Sequence, residues 1–225
     1  MLHKIKEIER PEEKDFENAL ALIQENIPES EISDKNQFIE VLEAKINNRL
    51  YPDNYHLRVY SESDGVLAVS CGYYISEINM GLIHYLTVQK CIRSRGIGSA
   101  MRSDLLTCFD KDAFRILKKP AEGYLGEVKN TNPWLHILEE KHQVFPIDID
   151  YFQPELRSGK GDVKFVLYYQ PRNKISDSLT KTDVVEIITS IYKNVYDIKC
   201  PNENESFKKI LNSVKNKTYI TKKVF

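Results

Sequence analysis

The sequence lacks the features of several common protein classes. No stretch is apolar for long enough to cross a bilayer, and the charged residues 1–17 contain no apolar core of a secretion signal. The four cysteines show no CxxC pair or other spacing typical of zinc or redox sites. The charges nearly cancel, with 32 Lys and Arg against 33 Asp and Glu, whereas nucleic-acid binders are usually basic. We therefore expect a cytoplasmic protein with no metal, no membrane contact and no nucleic-acid partner.

The 225 residues suffice for one large domain with a substantial core. Apolar residues recur at helical spacing in some segments and alternate in others, with an Asp64-Gly65 hairpin signal between two of them. This pattern predicts strands over 3–9, 56–61, 66–76, 81–88, 124–128, 144–151 and 163–169, and helices over 14–27, 36–50, 98–117 and 132–142. Consecutive strands favour an α+β fold with a central, mixed but mostly antiparallel sheet flanked by helices.

The composition changes after Pro171, where residues 172–182 are polar and are predicted to form a linker. Asp183 followed by Glu186 resembles a helix-capping signature, and an apolar stripe runs over 184–195. We expect helices over 183–196 and 203–217, so the chain is predicted to have a domain over 1–171 and a C-terminal helical extension over 172–225. The stripe needs a partner surface, either in its own chain or in a second copy as a homodimer.

The segment Tyr85 to Met101 carries the clearest chemical signal. A predicted strand ends at Val88, and a loop with Arg93, Gly96 and Gly98 leads into a helix. Glycines at such a turn let backbone N–H groups converge on an anion, and the helix N-terminus adds a partial positive charge. No acidic residue occurs between positions 78 and 103. The pattern predicts a phosphate or pyrophosphate site, although a glycine-rich turn between a strand and a helix that binds no ligand would have the same sequence pattern.

Two common phosphate motifs are absent. A dinucleotide-binding loop requires GxGxxG, but Met101 stands where the third glycine is needed, and no GxxxxGK[ST] loop occurs. The remaining pattern, R-x-x-G-x-G after a strand, resembles the GCN5-related N-acetyltransferase (GNAT) family. A second block, Gly126 to Asn132 followed by 138–144, resembles that family's L-E-V-x-x-x-N segment and its following helix. The resemblance covers about residues 3–170.

The resemblance implies a cosubstrate and its binding residues. Family members use acetyl-CoA, so we expect strand backbone groups to pair with the pantetheine arm and loop amides to hold the pyrophosphate. Asn132 matches a frequent pantetheine contact, and it also suits a helix N-cap before Pro133. The expected binding residues are Leu86, Thr87, Val88, Arg93, Arg95, Gly96, Ile97, Gly98, Ser99 and Asn132.

Acetyl transfer to an amine requires a group that removes a proton from the ammonium. Glu127 is the first candidate, since the matching family glutamate is a base in some members and burial would raise its pKa. His84, on the third of the consecutive strands, is the second candidate, and Glu77 at a strand end is the third. Each has an ordinary alternative: a solvent-facing glutamate, a histidine packed in the sheet, or a polar strand end.

The sequence departs from the family at one important position. The family tyrosine that protonates CoA aligns with Glu139, so a buried Glu139, a tyrosine such as Tyr124, Tyr73 or Tyr74, or an unassisted thiolate would have to serve. Two functions follow from the resemblance. The first is an acetyl-CoA-dependent N-acetyltransferase acting on a small-molecule or peptide amine, and the second is a catalytically silent acyl-CoA-binding domain with a regulatory role.

Overall fold

The computed structural model describes residues 5–63, 65–172 and 178–222. Asp64 of the expected hairpin turn, the first two residues of the expected strand 3–9 and residues 173–177 of the expected linker lie outside this part. The chain divides into two compact units. The first comprises the described residues up to Ser76 together with Gly81–Ala121, and the second comprises Glu77–Met80 together with the described residues from Glu122 onward.

The first unit combines a sheet with three helices, and its neighbouring strands follow chain order. Strands β1–β2 and β2–β3 pair antiparallel, and β4 lies next to β3. The elements are β1 (Ile5–Glu7), α1 (Lys14–Asn26), α2 (Lys35–Ile46), β2 (Asn54–Glu62), β3 (Gly65–Ile75), β4 (Met80–Val88) and α3 (Ile97–Leu117).

Helix α1 forms where the apolar periodicity predicts it, with Phe16, Leu20 and Ile23 buried. Helix α2 begins after Asp34, whose side chain and that of Gln37 form a reciprocal capping box. It ends at Ile46, four residues before the predicted end. We infer that the polar residues 47–49 carry too little apolar surface to extend it.

Two strand glycines let helix α3 approach the sheet closely. A Cβ on Gly81 would lie 2.0 Å from Cδ2 of Phe109, and one on Gly72 would lie 3.0 Å from Cζ of the same ring. Phe109 is fully buried in α3. Any side chain at Gly81 would therefore push the helix away from the strands.

The second unit contains a sheet around β8 (Val163–Pro171), which pairs antiparallel with three strands. Val128, Leu135 and Val166 belong to one buried cluster of this unit. The other elements are β5 (Gly123–Val128), α4 (Trp134–His142), β6 (Phe145–Pro146), β7 (Tyr151–Gln153), β9 (Ser178–Thr180), α5 (Lys181–Asn194), α6 (Glu205–Val214) and β10 (Tyr219–Thr221).

The structure corrects the prediction of one strand over 144–151. Strands β6 and β7 are short and separate, and both pair with β8. Between them the backbone turns away, and Asp148 N–H donates to the carbonyl of Thr221 at 3.1 Å. The carbonyl and carboxylate of Asp148 also bind Lys217, at 2.6 and 2.7 Å. These bonds replace the backbone hydrogen bonds that a continuous strand would have formed with β8.

The C-terminal segment also differs from the prediction. Helix α5 starts two residues early because Thr180 and Asp183 form its capping box, rather than Asp183 and Glu186. Helix α6 is shorter than the predicted 203–217. The segment is not entirely helical, since β9 and β10 pair antiparallel.

The apolar stripe of α5 is covered by the chain itself. Val184, Ile188 and Ile191 are fully buried, so this stripe needs no second copy, and a homodimer stays a prediction. The domain boundary at 171/172 also stays a prediction. In the described residues, no helix combines the length and apolar character needed to cross a membrane. The predicted fold class, a mixed α+β fold with mostly antiparallel strands and flanking helices, is confirmed.

Candidate functional site

The glycine loop of the first unit forms the strand-to-helix turn that the sequence predicts. A short 3-10 turn follows β4, and Ser94 and Gly96 both adopt positive φ, at 63° and 79°. Gly96 is the N-cap of α3 and provides no side-chain cap. The first N–H groups of a helix have no partner within the helix, so this end can donate them to an anion.

Arg93 has a structural partner at each end of its guanidinium. Its Nε donates to the carbonyl of Val88 at 2.9 Å, and Nη2 donates to Oδ1 of Asn26 at 2.7 Å. These bonds link the loop to the end of β4 and to α1. Arg93 therefore shapes the loop, and its contact with a pyrophosphate stays a prediction. Arg95 is exposed.

Other expected binding residues offer their backbone rather than their side chains. Thr87, Val88 and Ile97 are buried, and the last two belong to one apolar cluster with Met101. Leu86 packs against the same cluster. Gly98 and Ser99, in the first turn of α3, are half-buried. A cosubstrate at this loop would meet main-chain groups, as the resemblance implies.

Glu127 lies in the second unit, where sheet register brings a tyrosine toward it. Strand β8 separates β5 from β7, with Glu127 opposite Leu167 and Tyr151 opposite Phe165. Positions 165 and 167 point to the same face of β8, so the flanking side chains share that face. Two strand spacings, about 10 Å, separate the two backbones, and the long side chains of Glu127 and Tyr151 close this gap with a hydrogen bond.

Both oxygens of the Glu127 carboxylate accept a hydroxyl hydrogen bond. Tyr151 donates to Oε1, and Tyr196 donates to Oε2 at 2.6 Å. Both partners are neutral, and no Lys or Arg among the described residues pairs with this carboxylate. Burial raises the pKa of Glu127, and the two hydroxyl bonds offset only part of that effect. Such a carboxylate takes up a proton more readily than a surface glutamate.

Gly126, next to Glu127, is required by a close contact across the strands. It lies opposite Tyr168 on β8, and a Cβ at this position would come within 2.2 Å of the Tyr168 hydroxyl oxygen. A larger residue at position 126 would displace either the ring or the strand. The glycine thus permits the β5–β8 register that orients Glu127.

The second candidate base, His84, lies among aromatic rings in the first unit. Its ring stacks on Tyr85 with a centroid distance of 4.1 Å and lies 6.0 Å from that of Tyr73. Burial lowers the pKa of His84 to about 3, so the imidazole is neutral near pH 7 and binds a proton weakly. The structure places His84 and Glu127 in different units.

The third candidate base and Asn132 both have local structural partners. Glu77 is exposed, and its Oε2 accepts a bond from Ser190 of α5 at 3.0 Å. Oδ1 of Asn132 accepts the N–H of Trp134 at 3.0 Å, but α4 begins at Trp134 with Pro133 as its N-cap, so Asn132 lies one residue before the N-cap position that the sequence predicted. A pantetheine contact of Asn132 stays a prediction.

Glu139, which aligns with the family's acid tyrosine, is bound to a cation. Its Oε1 lies 3.1 Å from Nζ of Lys222. The hydroxyl of Tyr124, another candidate acid, accepts a bond from Arg172 at 2.9 Å.

Sequence analysis missed Tyr196 and Gln153. Tyr196 follows α5 and lies 69 positions from its partner Glu127. Gln153 is 1% exposed, and its Nε2 lies 3.4 Å from the Tyr196 hydroxyl oxygen. Neither residue belongs to a motif. An available signal was the i, i+4 spacing of Tyr192 and Tyr196 in the predicted helix 183–196, although α5 ends at Asn194 and Tyr196 lies beyond it.

One group of residues in the first unit has the chemistry of metal ligands. Donor atoms of Glu7, His56 and Cys108 lie within 4.8 Å of one another. Both Glu7 oxygens are already paired with cations, Oε1 with Lys45 at 2.6 Å and Oε2 with Arg58 at 3.0 Å. Because those cations would repel a metal ion, we interpret the group as an ion-pair network. The absence of a metal stays a prediction.

Comparison with known proteins identifies the fold. No family model and no curated protein matches the sequence. A protein described as a GNAT-family acetyltransferase from Bacteroides thetaiotaomicron matches with a TM-score of 0.63 at 14% identity, covering 87% of this chain and 99% of the other. Ard1 from Thermoplasma volcanium matches with a TM-score of 0.50 at 18% identity, covering 73% of this chain and 94% of the other. The ribosomal-protein-S18-alanine N-acetyltransferase from Escherichia coli matches with a TM-score of 0.50 at 12% identity, covering 78% of this chain and 97% of the other. The chain therefore has the GNAT fold, as its two motifs predicted.

Proposed function

We propose that this chain, which has the GNAT fold, is an acetyl-CoA-dependent N-acetyltransferase that acts directly on an amine of a small molecule or peptide. The observation that carries the proposal is the carboxylate of Glu127. It is bound by two neutral hydroxyls, and its pKa is raised by burial. A general base for an ammonium needs such proton affinity. We assign that role to Glu127.

The glycine loop supports the cosubstrate half of the proposal. The N-terminus of α3 has no side-chain cap and no acidic residue in its first turn. Backbone amides there suit the pyrophosphate of acetyl-CoA, and Arg95 adds positive charge. The expected contacts are those named from the sequence: residues 86–88, Arg93, residues 95–99 and Asn132.

Conversion of an ammonium into an amide removes two protons from the nitrogen, and a thiolate leaves the acetyl group. Glu127 receives the first proton, and the neutral amine then attacks the thioester carbonyl. The nitrogen loses its second proton as the thiolate leaves, and that proton converts the thiolate into the CoA thiol. The family's acid tyrosine is replaced by Glu139, which is paired with Lys222, so we assign no side chain as the acid. A thiol pKa of about 8.5 makes CoA a fair leaving group without one.

An amine panel tests the proposed function. Release of free CoA from acetyl-CoA is measured with small-molecule amines and peptide N-termini, for the wild type and for Glu127→Gln. Amine-dependent CoA release that disappears in the variant supports the enzyme. If acetyl-CoA raises the melting temperature but no amine is acetylated, the chain is instead a silent acyl-CoA-binding domain.

A loop variant tests the cosubstrate site separately. Gly98→Asp introduces a negative charge and bulk in the first turn of α3, where the pyrophosphate is expected. The thermal shift produced by acetyl-CoA should then disappear, while Gly98→Ala, which adds no charge, should retain part of it. Equal shifts in Gly98→Asp and the wild type would refute the phosphate assignment.

A further inference from the structure

The residues that hold Glu127 come from a part of the chain outside both family motifs. Tyr151 belongs to β7, and Tyr196 follows the end of α5 at Asn194. We propose that Tyr196 is a positioning residue of the acetyl-transfer site, so that the segment following α5 forms part of that site. The proposal rests on the proposed role of Glu127 as the general base.

The two tyrosines contribute differently. Tyr151 is 0% exposed and sits within the sheet, and its hydroxyl donates to Glu127. Tyr196 is half-buried and fixes the second carboxylate oxygen at 2.6 Å. Because each carboxylate oxygen has two acceptor positions, Glu127 can hold both hydroxyls and still accept a proton from an amine.

Gln153 supports the direction in which the Tyr196 hydroxyl donates. Its Nε2 lies 3.4 Å from that hydroxyl oxygen and can only donate. The hydroxyl proton is therefore directed to Glu127, which gives a chain of donors from Gln153 through Tyr196 to Glu127. Oε1 of Gln153 is buried and has no hydrogen-bond partner among the described residues. This oxygen can therefore accept a hydrogen bond from a ligand or a water molecule beside the Gln153, Tyr196 and Glu127 side chains.

Local structure holds Tyr196 in place beyond the end of the helix. Its ring meets that of Tyr192 edge to face at a centroid distance of 5.8 Å. The next residue, Asp197, has a positive φ of 50°, and Ile198 N–H returns to the carbonyl of Tyr192 at 3.0 Å. The turn at Asp197 thus fixes the backbone from which Tyr196 reaches Glu127.

The hydrogen bond has a measurable electrostatic consequence. A hydroxyl that donates to a carboxylate stabilises the ionised form and lowers the carboxyl pKa. Removing the Tyr196 hydroxyl should therefore raise the pKa of Glu127 further. The free energy of a hydrogen bond to a charged group corresponds to a pKa shift of roughly one unit.

The test compares Tyr196→Phe with Tyr192→Phe. The control removes the hydroxyl of the tyrosine that packs against Tyr196, and that hydroxyl donates to the carbonyl of Phe152 rather than to Glu127. The acidic limb of the kcat/KM profile should move up by roughly one pH unit in Tyr196→Phe and stay in place in Tyr192→Phe. A titration of the Glu127 carboxyl by 13C NMR, which needs no turnover, should show the same difference.

The outcomes separate this inference from the proposed function. If Glu127→Gln abolishes acetylation but Tyr196→Phe leaves both the profile and the carboxyl titration unchanged, the inference is overturned and the enzyme stands. If the carboxyl titration shifts but no amine is acetylated, the hydrogen bond is real and the proposed function is overturned, together with any catalytic role for Tyr196.

Discussion

Two glutamates illustrate two ways in which this chain buries a carboxylate. Glu7 in the first unit lies among cations: Lys45 at 2.6 Å, Arg58 at 3.0 Å and Nδ1 of His56 at 3.1 Å. Burial by itself would raise the pKa of Glu7, but His56 and Lys45 outweigh it and lower the pKa to about 2. Glu127 in the second unit has only neutral hydroxyl partners among the described residues, and its pKa is raised.

The difference lies in the charge of the partners rather than in burial. Cations stabilise the ionised form so strongly that Glu7 cannot act as a base near pH 7. Tyrosine hydroxyls orient a carboxylate but leave it with affinity for a proton. Glu7 is therefore a structural ion-pair partner, whereas Glu127 has the properties of a proton acceptor. The predictions below test this contrast.

The largest expected effect is on activity. Glu127→Gln keeps the shape of the side chain but removes its basicity, so kcat/KM for acetyl transfer should fall at least about 100-fold. The melting temperature should change little, because an amide also suits two hydroxyl partners. Steady-state kinetics and a thermal melt check both statements. Retained activity would remove Glu127 from the mechanism.

The matching change at Glu7 should affect stability instead. Glu7→Gln leaves Lys45 and Arg58 partly buried without this counter-charge, which costs about 3 kcal/mol of unfolding free energy. Activity per folded molecule should persist. Urea unfolding measures the loss. A Glu7→Gln protein as stable as the wild type would contradict the structural role of this cluster.

A smaller effect is expected from Tyr151→Phe. The variant removes one neutral donor from Glu127 and should cost about 1.5 kcal/mol of stability, as hydrogen bonds to charged groups do. It should also raise the pKa of Glu127 further. Urea unfolding and a carboxyl titration measure the two effects. An unchanged titration would show that Tyr151 does not stabilise the ionised form.

The smallest expected effect is on the pH dependence of stability. His56 lies between Glu7 and Asp112, with Nε2 2.7 Å from the latter. Burial opposes its charge, but the two carboxylates outweigh it and raise the pKa of His56 above 6.5. Its stabilising contribution is thus complete below about pH 6.5 and is lost as the pH rises through the folded-state pKa.

Comparison with His56→Gln isolates this effect. The difference in unfolding free energy between wild type and variant should shrink as the pH rises above about 6.5, since only the wild type loses the proton. The contribution of Glu127 is common to both proteins and cancels. A difference that is constant over this range would contradict the raised pKa.

Local signals predicted much of the fold and part of the site. The apolar periodicity placed α1 and α3 within one residue of their ends, and the glycines at 96 and 98 marked the N-cap and first turn of α3. Glu127 was chosen as a candidate base from its motif, and that role stays a prediction. The break between β6 and β7 was not predicted, because it depends on bonds from Asp148 to Lys217 and Thr221, which are remote in sequence.

By itself, the sequence determined the order of the elements, the glycine loop and the GNAT resemblance, because these depend on residues close together along the chain. Only the tertiary structure decided what surrounds each carboxylate. Sheet register carries Tyr151 to one oxygen of Glu127, and the turn after α5 carries Tyr196 to the other. A carboxylate's proton affinity depends on its neighbours in space, and those neighbours lie 24 and 69 positions away in the chain.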